Sequence, residues 1–335
     1  MQLTTLEMLP EGLLDAEARD LHAVLPGPTL IHLPGKRPEP LFVSVLLHGN
    51  EDTGLKAAQA VLKKHAGREL PRALSLFIGN ITAARHGARR LDGQVDYNRV
   101  WPGTEHPDST EAAMMQEVVQ QMQARGVFAS IDIHNNTGLN PHYACVNTLD
   151  HRFFHLATLF SRIVVYFTRP KGVQSGAFAP LCPAVTVECG KPGVGSSEDH
   201  AASFVEACLN LSAFPEHPIA RHDIDLFHTV ATVKVPEGLR FGFGEDNLAI
   251  RFRDDLDHLN FQEIPVHTPF GASQSGALLQ AWDEDGEEVG ERYFEVSRGE
   301  LRTRRAVMPA MLTKNVEVVR QDCLCYLMER YPLPE

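Results

Sequence analysis

Apolar runs that break off at polar residues recur through the first two-thirds of the chain. The sharpest is Leu41 to Leu47, interrupted only by Ser44 and stopped at His48-Gly49-Asn50-Glu51. Both faces of this run are apolar and it is too short to cross a membrane, the pattern of a central strand covered on both sides. TGLKAAQAVLKKH follows, with Leu55, Ala58 and Leu62 at helical spacing up to about His65. Residues 73–79, ALSLFIG, form a second apolar strand ending at Asn80. VFASIDIHNNTG forms another, running into polar residues at His134. Residues 142–147 read as a strand, 150–161 as a helix and 163–167 as a strand. PAVTVECG then gives a strand ending at Glu188, followed by a capped helix with Phe204, Val205, Cys208 and Leu209 inward. The clearest helix covers 108–125: Met115, Val118, Val119 and Met122 make its buried stripe, Gly126 ends it, and Asp108 and Glu111 have capping-box spacing. Upstream, 11–25 suits a short helix, and the proline-rich PGPTLIHLPGKRPEP reads as an edge segment leading into the central strand.

Strands alternating with helices predict an α/β layer architecture. The character changes near PEHPIARHD (215–223). Beyond it come short β-rich pieces, HTVATVKV, LRFGF, LAIRF, ALLQAW, VGERYFEV and CLCYLME, separated by turn signals such as Pro236-Glu237-Gly238 and Asp285-Gly286. The expected division is a catalytic-type domain over 1–215 and a smaller β-rich domain over 216–335. Between the second strand and the clear helix lies a long loop, ITAARHGARRLDGQVDYNRVWPG, rich in arginine and without a regular period. Loops of that length inside a domain are often functional.

Composition narrows the class. At 335 residues, with 43% hydrophobic and 22% charged residues, the chain has the material for a sizeable core. A net charge of -12 argues against a general nucleic-acid or anionic-membrane binder, because both need basic patches. The N-terminal residues lack a basic stretch followed by an apolar one, so no secretory signal is expected, and no apolar run reaches the roughly 20 residues of a membrane helix. The six cysteines are scattered without C-x-x-C pairing, which predicts reduced thiols and a cytoplasmic protein.

The chemistry lies at the strand ends. His48 and Glu51 follow one strand, His134 ends a second and Glu188 a third. In a mostly parallel sheet such ends share one edge, where ligands bind in open α/β folds. Two histidines and a carboxylate leave a position open on a tetrahedral zinc, as in catalytic sites. Zinc lowers the pKa of bound water towards about 7 and polarises a carbonyl. Glu188, if not a ligand, is placed to act as general base and acid. Asp132, two residues before His134, shares its strand face and is a candidate to orient a histidine. Taken singly, each residue has an ordinary explanation as surface or loop polarity; their coincidence at three strand ends raises the functional reading.

HGNE at 48–51, DYNRVWPG at 96–103, DIHNNTG at 132–138 and VECG at 187–190 together resemble, in order and spacing, the succinylglutamate desuccinylase/aspartoacylase family of the zinc carboxypeptidase superfamily. The resemblance covers about 40–210 and is loose beyond. It implies a three-layer α/β/α domain with a mixed, mostly parallel sheet, and a β-rich C-terminal domain that narrows the site entrance. It implies one Zn2+ per chain on His48, Glu51 and His134, with Glu188 as general base and acid. Asn98 and Arg99 match the pair that holds a substrate carboxylate, for which a guanidinium fork is suited; a surface ion pair is the competing explanation for Arg99. The family's carbonyl-polarising arginine falls nearest Arg90, with Arg89 as rival. Tyr293 is the one match for a tyrosine drawn from the C-terminal domain.

The chain departs from the better-known deacylases at SGAFAPLCPA, which holds no arginine where they carry a further substrate-binding one; Arg169 and Lys171 lie upstream. The expected activity is therefore zinc-dependent hydrolysis of the amide bond of a small N-acyl amino acid or a similar carboxylate-bearing amide. A zinc carboxypeptidase and a non-catalytic metabolite-binding protein are the alternatives. The acyl group, the amine product and the choice between monomer and homo-oligomer are left open.

Overall fold

The structure is a computed structural model and describes residues 2–244, 248–274 and 276–333. The chain divides into two compact units. One holds Met1–Asn135 and His142–Asp225, the other Asn136–Pro141 and Leu226–Pro332. The boundary thus differs from a single cut at 215. Residues 136–141, directly after Asn135, belong with the second unit because Asn140 Oδ1 accepts from the Met311 N–H at 2.9 Å and Thr137 Oγ1 meets Thr313 Oγ1 at 2.6 Å.

The strands of the first unit are β1 (Thr4–Leu6), β2 (Thr29–Leu33), β3 (Leu41–Val45), β4 (Leu74–Ile78), β5 (Ala129–His134), β6 (Tyr143–Val146), β7 (Ile163–Tyr166) and β8 (Ala184–Glu188). They line up in the order β1-β2-β4-β3-β5-β8-β6-β7. Only β2–β4 and β6–β8 are antiparallel, so the sheet is mixed and mostly parallel. The helices are α1 (Thr53–Lys64), α2 (Ile81–His86), α3 (Thr110–Ala124), α4 (His151–Thr158), α5 (Gln174–Phe178) and α6 (Gly195–Asn210), with a 3-10 turn at Ala18–Ala23.

Period-two alternation assigns the faces. Val43, Val45, Ile131 and Ile133 look one way, and α1 lies so close on that face that a Cβ at Gly54 would stand 2.9 Å from Ile133 Cβ and Val45 Cγ1. Helix α6 packs beside α1 through Ala201, Phe204, Val205 and Cys208. The other face carries Phe42, Ser44, Phe77, Ser130 and Asp132. There Phe178 of α5 stacks on Phe42 at 4.5 Å between ring centroids, and Trp101 meets Phe42, Phe77 and Phe178 edge-on. Both faces are covered, which is the three-layer α/β fold.

Several local expectations are revised. Strand β2 sits inside the sheet between β1 and β4, although flanking prolines suggest an edge. Strand β3 stops at Val45 rather than Leu47, because Leu46 turns into the left-handed region (φ 55°). The loop after β4 opens with α2, capped by Asn80, whose side chain accepts from the Ala83 N–H. Helix α3 is capped by Ser109, which accepts from the Ala112 N–H, and not by Asp108. The expected helix over 11–25 reduces to the 3-10 turn.

In the second unit, β9 (Asp225–Lys234), β10 (Phe241–Phe243), β11 (Ile250–Phe252), β12 (Pro269–Ser273), β13 (Gln280–Trp282), β14 (Phe294–Ser297), β15 (Glu300–Thr303), β16 (Met308–Ala310) and β17 (Cys325–Arg330) are all short except β9. Strand β17 lies between β16 and β9, and β13 pairs with β9. A separate five-stranded sheet runs β10-β11-β12-β15-β14. Phe252, Phe270, Phe294, Leu301, Val233 and Leu327 are among the residues that fill this unit's core. No helix among the described residues is long and apolar enough to cross a membrane.

Candidate metal centre and active site

Three buried side chains meet where β3 and β5 end. One ligand atom from each of His48, Glu51 and His134 lies within 4.8 Å of the others. Their arrangement is directional. His48 Nδ1 stands 2.9 Å from Glu51 Oε1, and His134 Nδ1 stands 2.7 Å from Glu51 Oε2. Both histidines thus turn Nδ1 inward and Nε2 outward. The outward nitrogens each meet a carboxylate: His48 Nε2 is 3.0 Å from Asp96 Oδ1, and His134 Nε2 is 2.8 Å from Asp132 Oδ2. Asp132 is itself held by the Ser44 hydroxyl, which donates to its Oδ1 at 2.6 Å. Carboxylate–histidine pairs of this kind fix ring orientation and raise ligand basicity in metal sites.

The local chain path explains why these residues come together. Leu46 holds a conformation that costs a residue with a Cβ, and such outliers persist where surroundings over-determine them. Here the surroundings are β4, whose end takes hydrogen bonds onto the Val45 and Leu46 carbonyls. The bend sends Gly49 against α2, where a Cβ would fall 2.2 Å from the Ala84 nitrogen, so this position admits only glycine. The Gly49 N–H donates to the Arg89 carbonyl at 3.0 Å and locks the long loop to the HGNE turn. Farther along that loop Tyr97, Val100 and Trp101 are buried, and these apolar anchors fix Asn98 and Arg99 between them and Asp96 directly before them.

Asn135 closes the other side. Its backbone N–H donates to Glu51 Oε2 at 3.1 Å, its Oδ1 accepts from the Thr53 N–H, and its Nδ2 donates to the Gly190 carbonyl at 2.9 Å. It therefore caps α1 in place of Asp52, whose side chain makes no cap, and ties the ends of β5 and β8 together. Glu188 sits beside His134 in the parallel β5–β8 register and is buried.

Electrostatics favour a cation at the centre. Burial raises the Glu51 carboxyl, but His48 and His134 outweigh it and hold the group below its ordinary range. Burial works against the charged form of His134, yet Asp132 and Glu51 lift it well above the usual histidine value. His48 is likewise opposed by burial and Arg89 and raised by Glu51 and Asp96. Asp96, despite burial, is held low by His48 and Arg89. Positive charge is thus stabilised on imidazoles that would ordinarily be neutral when buried. A divalent ion shared by two Nδ1 atoms and a carboxylate satisfies the same field, and the donor set suits zinc.

The arginines separate. Arg89 reaches the cluster, with guanidinium contacts to Glu51 Oε1 at 3.4 Å and Asp96 Oδ2 at 3.2 Å. Arg90 does not: its guanidinium donates to the Gln94 carbonyl at 2.9 Å. Arg99 donates to the Asn98 carbonyl at 2.8 Å. The Asn98 amide is engaged at both ends, its Oδ1 accepting from the Gln174 N–H at 3.1 Å and its Nδ2 standing 3.1 Å from His134 Nε2. Tyr293 is packed in the second unit's own core at 2% exposure and lies in a short helical turn, not the expected strand. Arg169 pairs with Glu105, and Lys171 is exposed. Asp96, Asn135 and Gln174 were not assigned roles from the sequence. Asp96 and Asn135 carried a signal, lying two residues before Asn98 in DYNR and directly after His134 in DIHNNTG; Gln174 carried none.

Residues 40–214 match the model of the succinylglutamate desuccinylase/aspartoacylase catalytic domain. The chain belongs to this family. The matched residues include the whole candidate site, His48, Glu51, Asp96, Asp132, His134 and Glu188. No curated sequence matches the chain. Among solved structures it is similar to the succinylglutamate desuccinylase from Chromobacterium violaceum, at 17% identity and TM-score 0.57, over 89% of this chain and 87% of that one. Murine aminoacylase 3 is similar at 16% identity and TM-score 0.56, over 88% and 96%. The ectoine utilization protein EutE (DoeB) from Ruegeria pomeroyi, in a product-bound structure, follows at 16% identity and TM-score 0.52, over 89% and 88%. At these identities the likeness is one of fold.

Proposed function

We propose that this desuccinylase/aspartoacylase-family protein is a zinc-dependent hydrolase that cleaves the amide bond of a small N-acyl amino acid or a similar carboxylate-bearing amide. The observation that carries this reading is the buried His48–Glu51–His134 cluster with Glu188 beside His134 at the next strand end. His48, Glu51 and His134 would hold the ion, which supplies a Lewis acid for the scissile carbonyl and acidifies water.

The chain's own groups have the following parts. Asp96 and Asp132 hold the two histidines with Nδ1 inward. Glu188 takes a proton from the attacking water and returns one to the leaving amine. Arg89, whose guanidinium borders Glu51, replaces Arg90 as the group that stabilises negative charge developing on the carbonyl oxygen. Arg99 anchors the substrate carboxylate, and Asn98, whose Oδ1 accepts from the Gln174 N–H, steadies the loop that bears Arg99. Tyr293, enclosed in its own core, has no part.

A panel of N-acyl amino acids assayed for released amine tests the reading, with Glu188→Gln as the partner variant. At least one panel member is expected to be hydrolysed. Glu188→Gln is expected to keep the metal and lose activity by a factor of about 10² or more. A metal-loaded protein that releases no amine across the panel would sink the deacylase reading. Survival of activity in Glu188→Gln would remove the base assignment alone.

A further inference from the structure

Glu188 is the last residue of β8, so the sheet holds the proposed base from one side of the sequence only. Its neighbours across the sheet are His134 of β5 and Tyr143 of β6. Beyond it the chain leaves the ladder at once, and Gly190 takes a left-handed conformation (φ 71°). Where the Glu188 carboxylate points therefore depends on how Cys189 and Gly190 are held.

Three bonds fix that turn. The Cys189 N–H donates to the His134 carbonyl at 2.9 Å, and the Gly190 carbonyl accepts from Asn135 Nδ2 at 2.9 Å. The third comes from His142, which lies directly before Tyr143 and so opposite Cys189 where β6 meets β8. Its ring hydrogen-bonds the Cys189 backbone. The Cys189 N–H is already given to His134, so the group that meets the ring is the carbonyl. Nε2 of the same ring stands 3.0 Å from the Ser197 hydroxyl of α6. A carbonyl only accepts, so Nδ1 carries the proton towards Cys189 and Nε2 accepts from Ser197.

The ring is boxed in. It stacks on His200 with 4.8 Å between centroids and 19° between planes, and His200 donates from Nε2 to the Phe160 carbonyl at 2.8 Å. A Cβ placed on Gly190 would stand 3.8 Å from His142 Nε2 and 3.9 Å from Ser197 Oγ, so the pair lies against the turn it holds. Burial and the neighbouring His200 lower the His142 pKa against the raising effect of the Cys189 bond, which keeps the ring neutral and Nε2 able to accept.

We infer that His142 is a positioning residue for the proposed reaction: it clamps the Cys189 peptide, Ser197 fixes its orientation, and the clamp aims the Glu188 carboxylate at the attacking water. The inference rests on the reading of Glu188 as the base. A displacement of about 1 Å in such a group costs up to about 10²-fold in rate.

Two variants of the zinc-loaded full chain test this. A phenyl ring in His142→Phe keeps the stack on His200 and loses both hydrogen bonds. The amide in His142→Asn reaches the place of Nδ1–H and keeps the bond to Cys189. Hydrogen exchange read by mass spectrometry over the segment holding Cys189 and Gly190 needs no substrate. It is expected to quicken about tenfold or more in His142→Phe and to match the parent in His142→Asn. With an amide that the parent hydrolyses, kcat is expected to fall about tenfold or more in His142→Phe, with KM and zinc content unchanged, and to recover in His142→Asn. Asparagine is smaller than either ring, so it would not restore a loss due to packing alone. Parent-like exchange in His142→Phe would overturn the clamp. Faster exchange with parent-like kcat, or a loss of kcat that His142→Asn shares, would overturn the positioning of Glu188. A parent that hydrolyses no panel member fails the deacylase reading, and the exchange result then decides the clamp by itself.

Discussion

Asp96 Oδ1 lies 3.0 Å from His48 Nε2, on the side of the ring away from Glu51. The contact fixes which nitrogen of His48 points into the cluster, and it comes from a loop that has no regular secondary structure at that point. Asp132 does the same for His134 from within β5. The two carboxylates bracket the site, so loss of either leaves one histidine unsupported.

Asp96→Asn is therefore expected to lower metal affinity by about 10–100-fold while leaving the fold intact. Competition against a chromogenic chelator measures this. Affinity equal to the parent's would mean that Asp96 does not orient His48.

The neighbouring arginines are predicted to behave differently. Arg89 touches Glu51 and Asp96, whereas Arg90 is spent on the Gln94 carbonyl. Arg89→Ala is expected to cut kcat/KM for the best amide substrate by about 10²-fold or more, and Arg90→Ala to change it little. A reversed order in the two steady-state assays would restore Arg90 to the site.

Gly54 sets two known effects against each other. Alanine is a better helix former than glycine by about 1 kcal/mol in a helix interior, and by less at Gly54, the second residue of α1. Its methyl group, however, would stand 2.9 Å from Ile133 Cβ and Val45 Cγ1 in the packed face of the sheet, and such overpacking costs typically about 1–3 kcal/mol. Packing is expected to win, so Gly54→Ala should lower the urea midpoint. A raised midpoint would show that α1 can shift outward at little cost.

His32 gives a pH dependence remote from the metal ligands. It is buried on β2, with Nδ1 at 2.8 Å from the Ser75 hydroxyl and Nε2 at 3.2 Å from Gln121 Oε1. Burial lowers its pKa below the ordinary 6.5, against the raising effect of Gln121. The unfolded chain then binds the proton more readily than the folded one. The stability contribution is fully present above pH 6.5 and is lost as the pH falls through the depressed folded value. His48 and His134, raised in the folded chain, act in the opposite direction and are common to both proteins, so the test is the difference: as the pH falls below 6.5 the urea midpoint of the parent should lose more, or gain less, than that of His32→Gln. His142, also lowered by burial, leaves a residual slope. Identical slopes would clear His32 of the effect.

How much of this was legible in the sequence follows from where each residue sits. His48, Glu51, His134 and Glu188 stood out because buried parallel strands are apolar on both faces, so the polar residue that ends one is conspicuous. Asp96 and Arg89 lie in an aperiodic loop whose conformation is fixed by distant contacts, Trp101 against Phe42 and Phe178, and Gly49 against α2. No local pattern encodes those contacts, which is why the resemblance led to Arg90 first, with Arg89 only as its rival. Strand β2 was misplaced to an edge because prolines punctuate both its ends, yet none falls within Thr29–Leu33 where a ladder bond would be lost. Tyr293 fitted a motif match but lies within a core that only the tertiary fold assembles.

The central claim is that His48, Glu51 and His134 hold a catalytic zinc. Its most direct test is the metal content of the chain purified without added metal, read by elemental mass spectrometry. About one zinc per chain, lost in His134→Ala, is the predicted result. A parent protein that carries no metal under any condition, or a His134→Ala variant that retains it in full, would contradict the account.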